Sequence, residues 1–224
     1  MPRVCVFDVN ETLLDLRALD PAFTQVFGEA SVRREWFTQM IQSALVATVT
    51  GEYATFGQIG AAALAMVAAR RGVTLSDDAR TQLLRGMRSL PPHPEIRAAL
   101  ERLRATGLRL ATLTNSTAEV AEAQLAHAGL TDLFELRLSA DTVQRLKPAP
   151  EAYRMAAERL GVAPGDIRLV AAHAWDIAGA LRAGCAAAFV ARPGMVLDPL
   201  APVPDVVGDD MHAVVEQILT LERA

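Results

Sequence analysis

Four short stretches of this 224-residue chain carry side chains suited to chemistry, and each follows an apolar, strand-like run. Asp8, Asn10, Glu11 and Thr12 come after Val4–Phe7, and Thr114, Asn115 and Ser116 come after Leu108–Leu113. Lys147 and, further on, Tyr153 lie beyond Phe134–Leu138, while His173, Trp175 and Asp176 follow Ile167–Ala171. Carboxylate, ammonium and imidazole groups together suit charge stabilisation and proton transfer. Lys147 is the only lysine among 22 basic residues, and Asn10 and Asn115 are the only asparagines. The arginine bias reflects a GC-rich genome, and a lysine kept against it suggests a need for a compact ammonium on a flexible stem. Chance retention is the rival account of that lysine taken alone. Convergence of the lysine, both asparagines, one of two tyrosines and one of two tryptophans on these ends is not explained by packing.

To gather such a set on one edge, the strands must all point the same way. The runs named above, with Ala186–Val190 and Val206–Val207, alternate with helical patterns at Glu95–Ala105, Ala118–Ala128, Glu151–Leu160, Ile177–Ala183 and Met211–Leu221. Strands alternating with helices build βαβ units and a parallel sheet. Ligands of such sheets bind at the carboxyl ends of the strands, where the strand order reverses. From about Leu16 to Leu90 the rhythm breaks into helices alone: Pro21–Phe27, Ser31–Thr48, Phe56–Arg71 and Ser76–Met87. Pro91-Pro92-His93-Pro94 then closes the segment, because few helices continue through such a run. The reading is an α/β protein: a Rossmann-like parallel sheet core (residues 1–14 and 91–224) with an inserted all-helical domain (residues 15–90).

Composition narrows the function classes. With 51% hydrophobic and 21% charged residues, the chain can bury a core without disulfides or a structural metal. A net charge of −4 argues against nucleic acid or anionic membrane as main partner, since both call for a basic surface. Cys5 and Cys185 show neither Cys-x-x-Cys nor Cys/His spacing, so no zinc site or disulfide framework is indicated. No apolar stretch approaches the roughly 18 residues of a membrane span, and an acid at Asp8 comes too early for a secretory signal. A soluble, cytoplasmic protein is expected.

Phe7-Asp8-Val9-Asn10-Glu11-Thr12-Leu13, Leu113-Thr114-Asn115, Lys147-Pro148 and Ala174-Trp175-Asp176 resemble, in order and spacing, the four motifs of the haloacid dehalogenase superfamily. The helical insert resembles that superfamily's cap. Lys147-Pro148-Ala149-Pro150-Glu151-Ala152-Tyr153 and His173-Ala174-Trp175-Asp176 are similar to the type II L-2-haloacid dehalogenases in particular. Most superfamily members are magnesium-dependent phosphatases, which need a second Asp two positions after the nucleophile as general acid. They also hold the hard cation with carboxylates after the fourth strand. Those positions are Asn10 and Ala171-Ala172 here. The resemblance therefore implies a hydrolase without metal or cofactor that converts short (S)-2-haloalkanoic acids to 2-hydroxyalkanoic acids through an aspartyl ester. Its partners would be a small halogenated carboxylic acid and the halide ion, and its assembly a homodimer. A phosphatase with a drifted metal site and an inactive binding module are the alternatives.

On that resemblance Asp8 is the nucleophile, Lys147 keeps it ionised, and Asp176 holds Lys147 by a charge-assisted hydrogen bond. Thr12, Thr114 and Asn115 are candidates to bind the substrate carboxylate beside helix N-termini, with Tyr153 and Trp175 also assigned to substrate. Turn and helix capping are the rival roles of the first three. The chain departs from the type II pattern at three places. Asn10-Glu11 replaces a tyrosine-glycine, Phe37 replaces a halide-facing arginine after Trp36, and His173 replaces an asparagine, with Ala171 for a serine. Ring edges of Phe37 and Trp175 carry positive character that suits a departing halide. Glu11 and His173 form a candidate dyad in which the carboxylate orients the imidazole and the imidazole deprotonates the water that cleaves the ester. A surface ion pair for Glu11 and a structural role for His173 are the competing readings. His93, His127 and His212 fall off this rim and are expected to face solvent.

Overall fold

The computed structural model describes residues 4–221; the first three residues, which open the stretch read for a secretory signal, lie outside the described part. Among the described residues six strands form: β1 (Val4–Phe7), β2 (Arg109–Thr114), β3 (Leu136–Ser139), β4 (Ile167–Ala171), β5 (Ala186–Val190) and β6 (Val206–Gly208). They form one sheet in the order β3-β2-β1-β4-β5-β6, and every neighbouring pair is parallel. Side chains alternate between faces along a strand, and here both faces are covered, as parallel sheets require. Between and after the strands run α5 (Ile96–Arg104), α6 (Ala118–His127), α7 (Pro150–Leu160), α8 (Ala174–Arg182) and α9 (Met211–Leu221). Val4, Val6, Leu113 and Leu169 pack with Tyr153 and Ala156 of α7 and Ile177 of α8. Cys5, Phe7, Leu110 and Val170 pack on the other side with Leu100 of α5, Leu125 of α6 and Val214 of α9.

Between β1 and α5 stand four further helices: α1 (Asp20–Phe27), α2 (Val32–Thr50), α3 (Phe56–Arg70) and α4 (Asp77–Gly86). Local chemistry marks the starts of α1, α3 and α4. Pro21 enters the first turn of α1, which tolerates its missing N–H. Thr55 and Gln58 form a reciprocal capping box on α3, and the Ser76 hydroxyl accepts from Ala79 N–H at α4, filling donors that a helix start leaves open. At its far end α2 stops on Gly51, whose φ of 77° suits a residue without Cβ. Trp36 of α2 is buried and donates its indole N–H to Gly60 O of α3 at 2.9 Å. Phe23, Trp36, Met40 and Leu64 belong to the same apolar cluster as the Phe7 face of the sheet, so the insertion packs directly on the core.

The two ends of the insertion are tied side by side. Asp15 N–H donates to Pro91 O at 2.8 Å, and His93 N–H donates to Leu13 O at 2.9 Å. β1, β4, β5 and α9 have the bounds read from sequence, and the other strands and α-helices shift by one or two residues with one exception. α8 begins at Ala174 rather than Ile177. Trp175 and Asp176 therefore belong to its first turn and His173 is its N-cap residue, where an acidic side chain favours the helix start.

Candidate active site

β1 and β4 lie side by side at the sheet centre, where chains leave in opposite directions, and Asp8 sits at the carboxyl end of β1. Lys147 reaches it from the turn between β3 and α7. The ammonium has three protons and three acceptors: Asp8 Oδ1 at 3.0 Å, Asp176 Oδ2 at 2.6 Å and Leu113 O at 2.8 Å. Its side chain is 0% exposed. Such burial by itself favours the neutral amine, but Asp176 and Asp8 outweigh it and leave the lysine pKa raised. Burial by itself also favours protonated Asp8; Lys147 and His173 overcome it and hold the carboxyl far below its ordinary range. Asp176 is pushed up, first by burial and then by Asp8, with Lys147 opposing. Asp8 is thus a buried, ionised and oriented carboxylate.

Several side chains expected to touch substrate instead hold this cluster together. Thr12 donates to Asp8 Oδ2 at 2.7 Å and accepts from Ala172 N–H at 3.0 Å. Tyr153 donates to Asp176 Oδ1 at 2.6 Å. Asn115 grips the Lys147 backbone from both sides, its Oδ1 accepting from Lys147 N–H at 2.7 Å and its Nδ2 donating to Lys147 O at 3.2 Å. Thr114 accepts from Ser116 N–H at 3.2 Å, a turn bond. Their polar atoms already have protein partners, and none of the four lines the cavity described below. In this structure the side chains of Thr12, Tyr153 and Asn115 bear on the Asp8–Lys147–Asp176 cluster, and that of Thr114 on its own turn. The helix cap that stood as the rival role of Asn115 is filled by Thr117. Gly179 of α8 passes so close to this turn that a Cβ there would lie 2.6 Å from both Pro148 Cβ and Tyr153 Oη, which only glycine permits.

A second group stands at the mouth. His173 Nε2 is 3.0 Å from Glu11 Oε2, and Nδ1 is 3.4 Å from Asp8 Oδ2. Nδ1 is buried and makes no hydrogen bond. Burial by itself would lower the imidazole pKa; the carboxylates of Asp8 and Glu11 reverse this and push it up to about 9. The Trp175 ring stacks on the imidazole at 5.3 Å, and the Phe37 ring lies 5.8 Å from it. Glu11 has a φ of 62°, a left-handed backbone that costs a residue with a Cβ about 1 kcal/mol. A side chain held at such a cost points to use of its carboxylate.

Above this group a cavity of about 620 Å³ opens between insertion and core, its wall including Glu11, Phe37, His173, Trp175, Arg33 and Arg192. Sequence reasoning missed three residues here. Arg33 is buried and lies 3.4 Å from Glu11 Oε1. Arg192, just past β5, donates twice to Thr12 O, at 2.7 and 3.2 Å. His93 is buried rather than solvent-facing, with Nε2 3.2 Å from Glu11 O. The proline run around His93 returns the chain from the insertion to the Glu11 loop, a placement that could have flagged it. His127 and His212 are exposed as predicted.

A magnesium ion does not suit these donors. Asp8 and Asp176, the carboxylates left to such a site, both bind the Lys147 ammonium, which fills the place between them where a cation would sit. The neighbouring positions are Asn10 and Ala172, which supply no carboxylate.

Comparison with known proteins extends this geometry. The model of the haloacid dehalogenase-like hydrolases matches residues 2–184. An (S)-2-haloacid dehalogenase 2 from Pseudomonas sp. (strain CBS-3) is 31% identical over 205 residues, covering 91% of this chain and 90% of that protein. An (S)-2-haloacid dehalogenase from Pseudomonas sp. (strain YL) is 31% identical over 214 residues, covering 94% and 91%. Among solved structures, an L-2-haloacid dehalogenase superposes with a TM-score of 0.92 at 29% identity, covering 100% of this chain and 99% of that one.

Proposed function

This chain belongs to the haloacid dehalogenase-like hydrolases, and we propose that it is a metal-independent dehalogenase of short (S)-2-haloalkanoic acids. The observation that carries this reading is the donor set beside Asp8: Asn10 and Ala171-Ala172 supply no general acid and no carboxylate, and Asp8 and Asp176 are both engaged by the Lys147 ammonium. Asp8 attacks the carbon that bears the halogen, the C–O bond forms, and the halide leaves with its electron pair. Water then attacks the carbonyl carbon of the Asp8 ester and releases the 2-hydroxyacid. Relatives named (S)-2-haloacid dehalogenases at 31% identity support the substrate class and the enantiomer.

Glu11 and His173 activate that water. Nε2–H donates to Glu11, which leaves Nδ1 facing Asp8. While Asp8 is ionised the imidazole holds its proton, with a pKa near 9. Esterification removes the Asp8 charge, so the proton is released and Nδ1 becomes a base at the moment the ester exists. Nδ1 takes a proton from the attacking water and passes it to the departing alkoxide. The new Asp8 carboxylic acid then reprotonates the imidazole, so each turnover releases one proton and one halide.

The insertion, residues 15–90, acts as a cap: it lines the cavity with Arg33, Arg34, Phe37, Thr38 and Ile41 of α2 and with Asp15, Leu16 and Arg17 ahead of α1. Phe37 and Trp175, flanking the imidazole, supply ring edges to the halide. A homodimer is supported by the apolar side chains Val46, Val49 and Met66 left exposed on α2 and α3, and a cytoplasmic setting by a cysteine content of two, both buried. Among the described residues no helix is long and apolar enough to cross a membrane.

The test is halide release from chloroacetate and L-2-chloropropionate with and without EDTA. Equal turnover in both is expected. Loss of turnover in EDTA with recovery on adding Mg²⁺ would overturn this reading of the site.

A further inference from the structure

Glu11 does not rely on its own loop to point at His173. Its two carboxylate oxygens face different partners, Oε2 the imidazole and Oε1 the Arg33 guanidinium. Arg33 belongs to the insertion, its side chain is only 4% exposed, and its Nε binds Asp20 Oδ1 at 2.5 Å. It stands four residues before Phe37 on α2, so the two share one face of that helix. That face therefore presents a ring to the imidazole and a cation to the carboxylate that orients it. The usual arginine after Trp36 is absent, yet a buried guanidinium has reached the same mouth from one turn earlier, aimed at the acid rather than at the halide.

We infer that Arg33 is a positioning residue for ester hydrolysis, holding the outer oxygen of Glu11 so that the inner one fixes His173. The inference rests on the Glu11–His173 reading above. A carboxylate bound at both oxygens has one orientation, whereas one bound only to the imidazole can rotate away. The guanidinium also balances the Glu11 charge. Glu11 is faced by Arg33 from α2 and by His173, with His93 on its carbonyl. His173 is faced by Asp8 and Glu11, with Lys147 behind Asp8, and Arg192 sits on the next carbonyl, that of Thr12. With Asp8 esterified, removing Arg33 leaves Glu11 holding the imidazolium with one fewer cation near it, so His173 gives up its proton at higher pH. Because Arg33 and Phe37 ride on the same helix, the base is assembled only when the insertion is seated on the core.

The experiment uses the full-length enzyme and separates the two half-reactions by rapid quench with L-2-chloropropionate, following halide and the Asp8 ester by intact-protein mass. Arg33→Gln is expected to keep the first halide-releasing turnover within about threefold of wild type. It should slow ester hydrolysis roughly tenfold, a part of the 10²–10⁴ that a general base supplies, and move the alkaline-rising limb of hydrolysis to higher pH. Arg33→Lys, which keeps the charge but not the fork, should recover the pH limb and part of the rate. In a Glu11→Gln background Arg33→Gln should slow hydrolysis no further. An unmoved pH limb in both arginine variants, or a full additional loss in the Glu11→Gln background, would show that Arg33 is only a tie between helices. Ester build-up in His173→Ala but not in the arginine variants defeats this inference alone; no ester in His173→Ala defeats the dyad on which it rests.

Discussion

The floor and the mouth of the site are built on opposite plans. On the floor, Asp8, Lys147, Asp176 and Tyr153 come from the core alone, and the lysine's three protons all have acceptors within 3.0 Å. At the mouth, Glu11, His173, Phe37 and Arg33 come from both core and insertion, one residue has a left-handed backbone, and a buried ring nitrogen lacks a hydrogen bond. A saturated network fixes a charge that must be ready before substrate arrives. An unsaturated one keeps a position open for water and can change its protonation during the cycle. On the function proposed above, alkylation belongs to the floor and hydrolysis to the mouth.

Substitutions that cut the floor should have the largest effects. Asp8→Asn and Lys147→Ala are each expected to lower halide release by roughly 10⁴-fold or more, the scale of losing a nucleophile or its activation. Lys147→Ala also leaves Asp8 and Asp176 buried without their cation, which costs about 3–5 kcal/mol, measurable by urea unfolding. Substantial steady release from Asp8→Asn, with no deamidation, would instead indicate direct attack by water on the substrate and collapse the division of labour. At the mouth, His173→Ala should give one equivalent of halide per active site in a burst and then stall, with the alkyl group on Asp8 in the mass spectrum. The later phase should slow by about 10²–10⁴-fold. Steady turnover without ester would return both mouth residues to structure and make Asp176 the better candidate base. Glu11→Gln should show a milder stall, since the imidazole stays in place with less orientation.

The smallest expected effect is on stability against pH, and it too distinguishes the regions. His173 binds its proton more tightly in the folded state, at about 9 against an ordinary 6.5. Its contribution is therefore full below pH 6.5 and disappears as pH rises through 9. Unfolding free energy should fall over that interval in the wild type and stay flatter in His173→Ala. An equal decline in both would place the titration elsewhere.

Sheet and insertion were legible because their signals are local and repetitive. Apolar runs such as Ile167–Ala171 are bracketed by turn residues, and Pro91–Pro94 marks where the insertion ends. The floor was legible because scarce residue types stand at strand ends, whose direction the βαβ pattern fixes. What stayed hidden was which atom faces which neighbour. Asn115 carries both a donor and an acceptor, and nothing along the chain says that both meet the Lys147 backbone. Arg33 is one of many arginines in the chain, and its burial depends on how α2 lies over the Glu11 loop. His93 was misread for the same reason.

The stack of Trp175 on His173, 5.3 Å between ring centres, gives the enzyme an optical readout of its own cycle. An imidazolium quenches indole emission by accepting an electron, and a neutral imidazole does so far less. The other tryptophan, Trp36, is buried away in the insertion with its N–H on Gly60, so Trp36→Phe would leave a single emitter beside the reacting groups. Emission from that variant should brighten while the ester persists and dim as the free carboxylate returns, timing both half-reactions in a stopped-flow trace without a label.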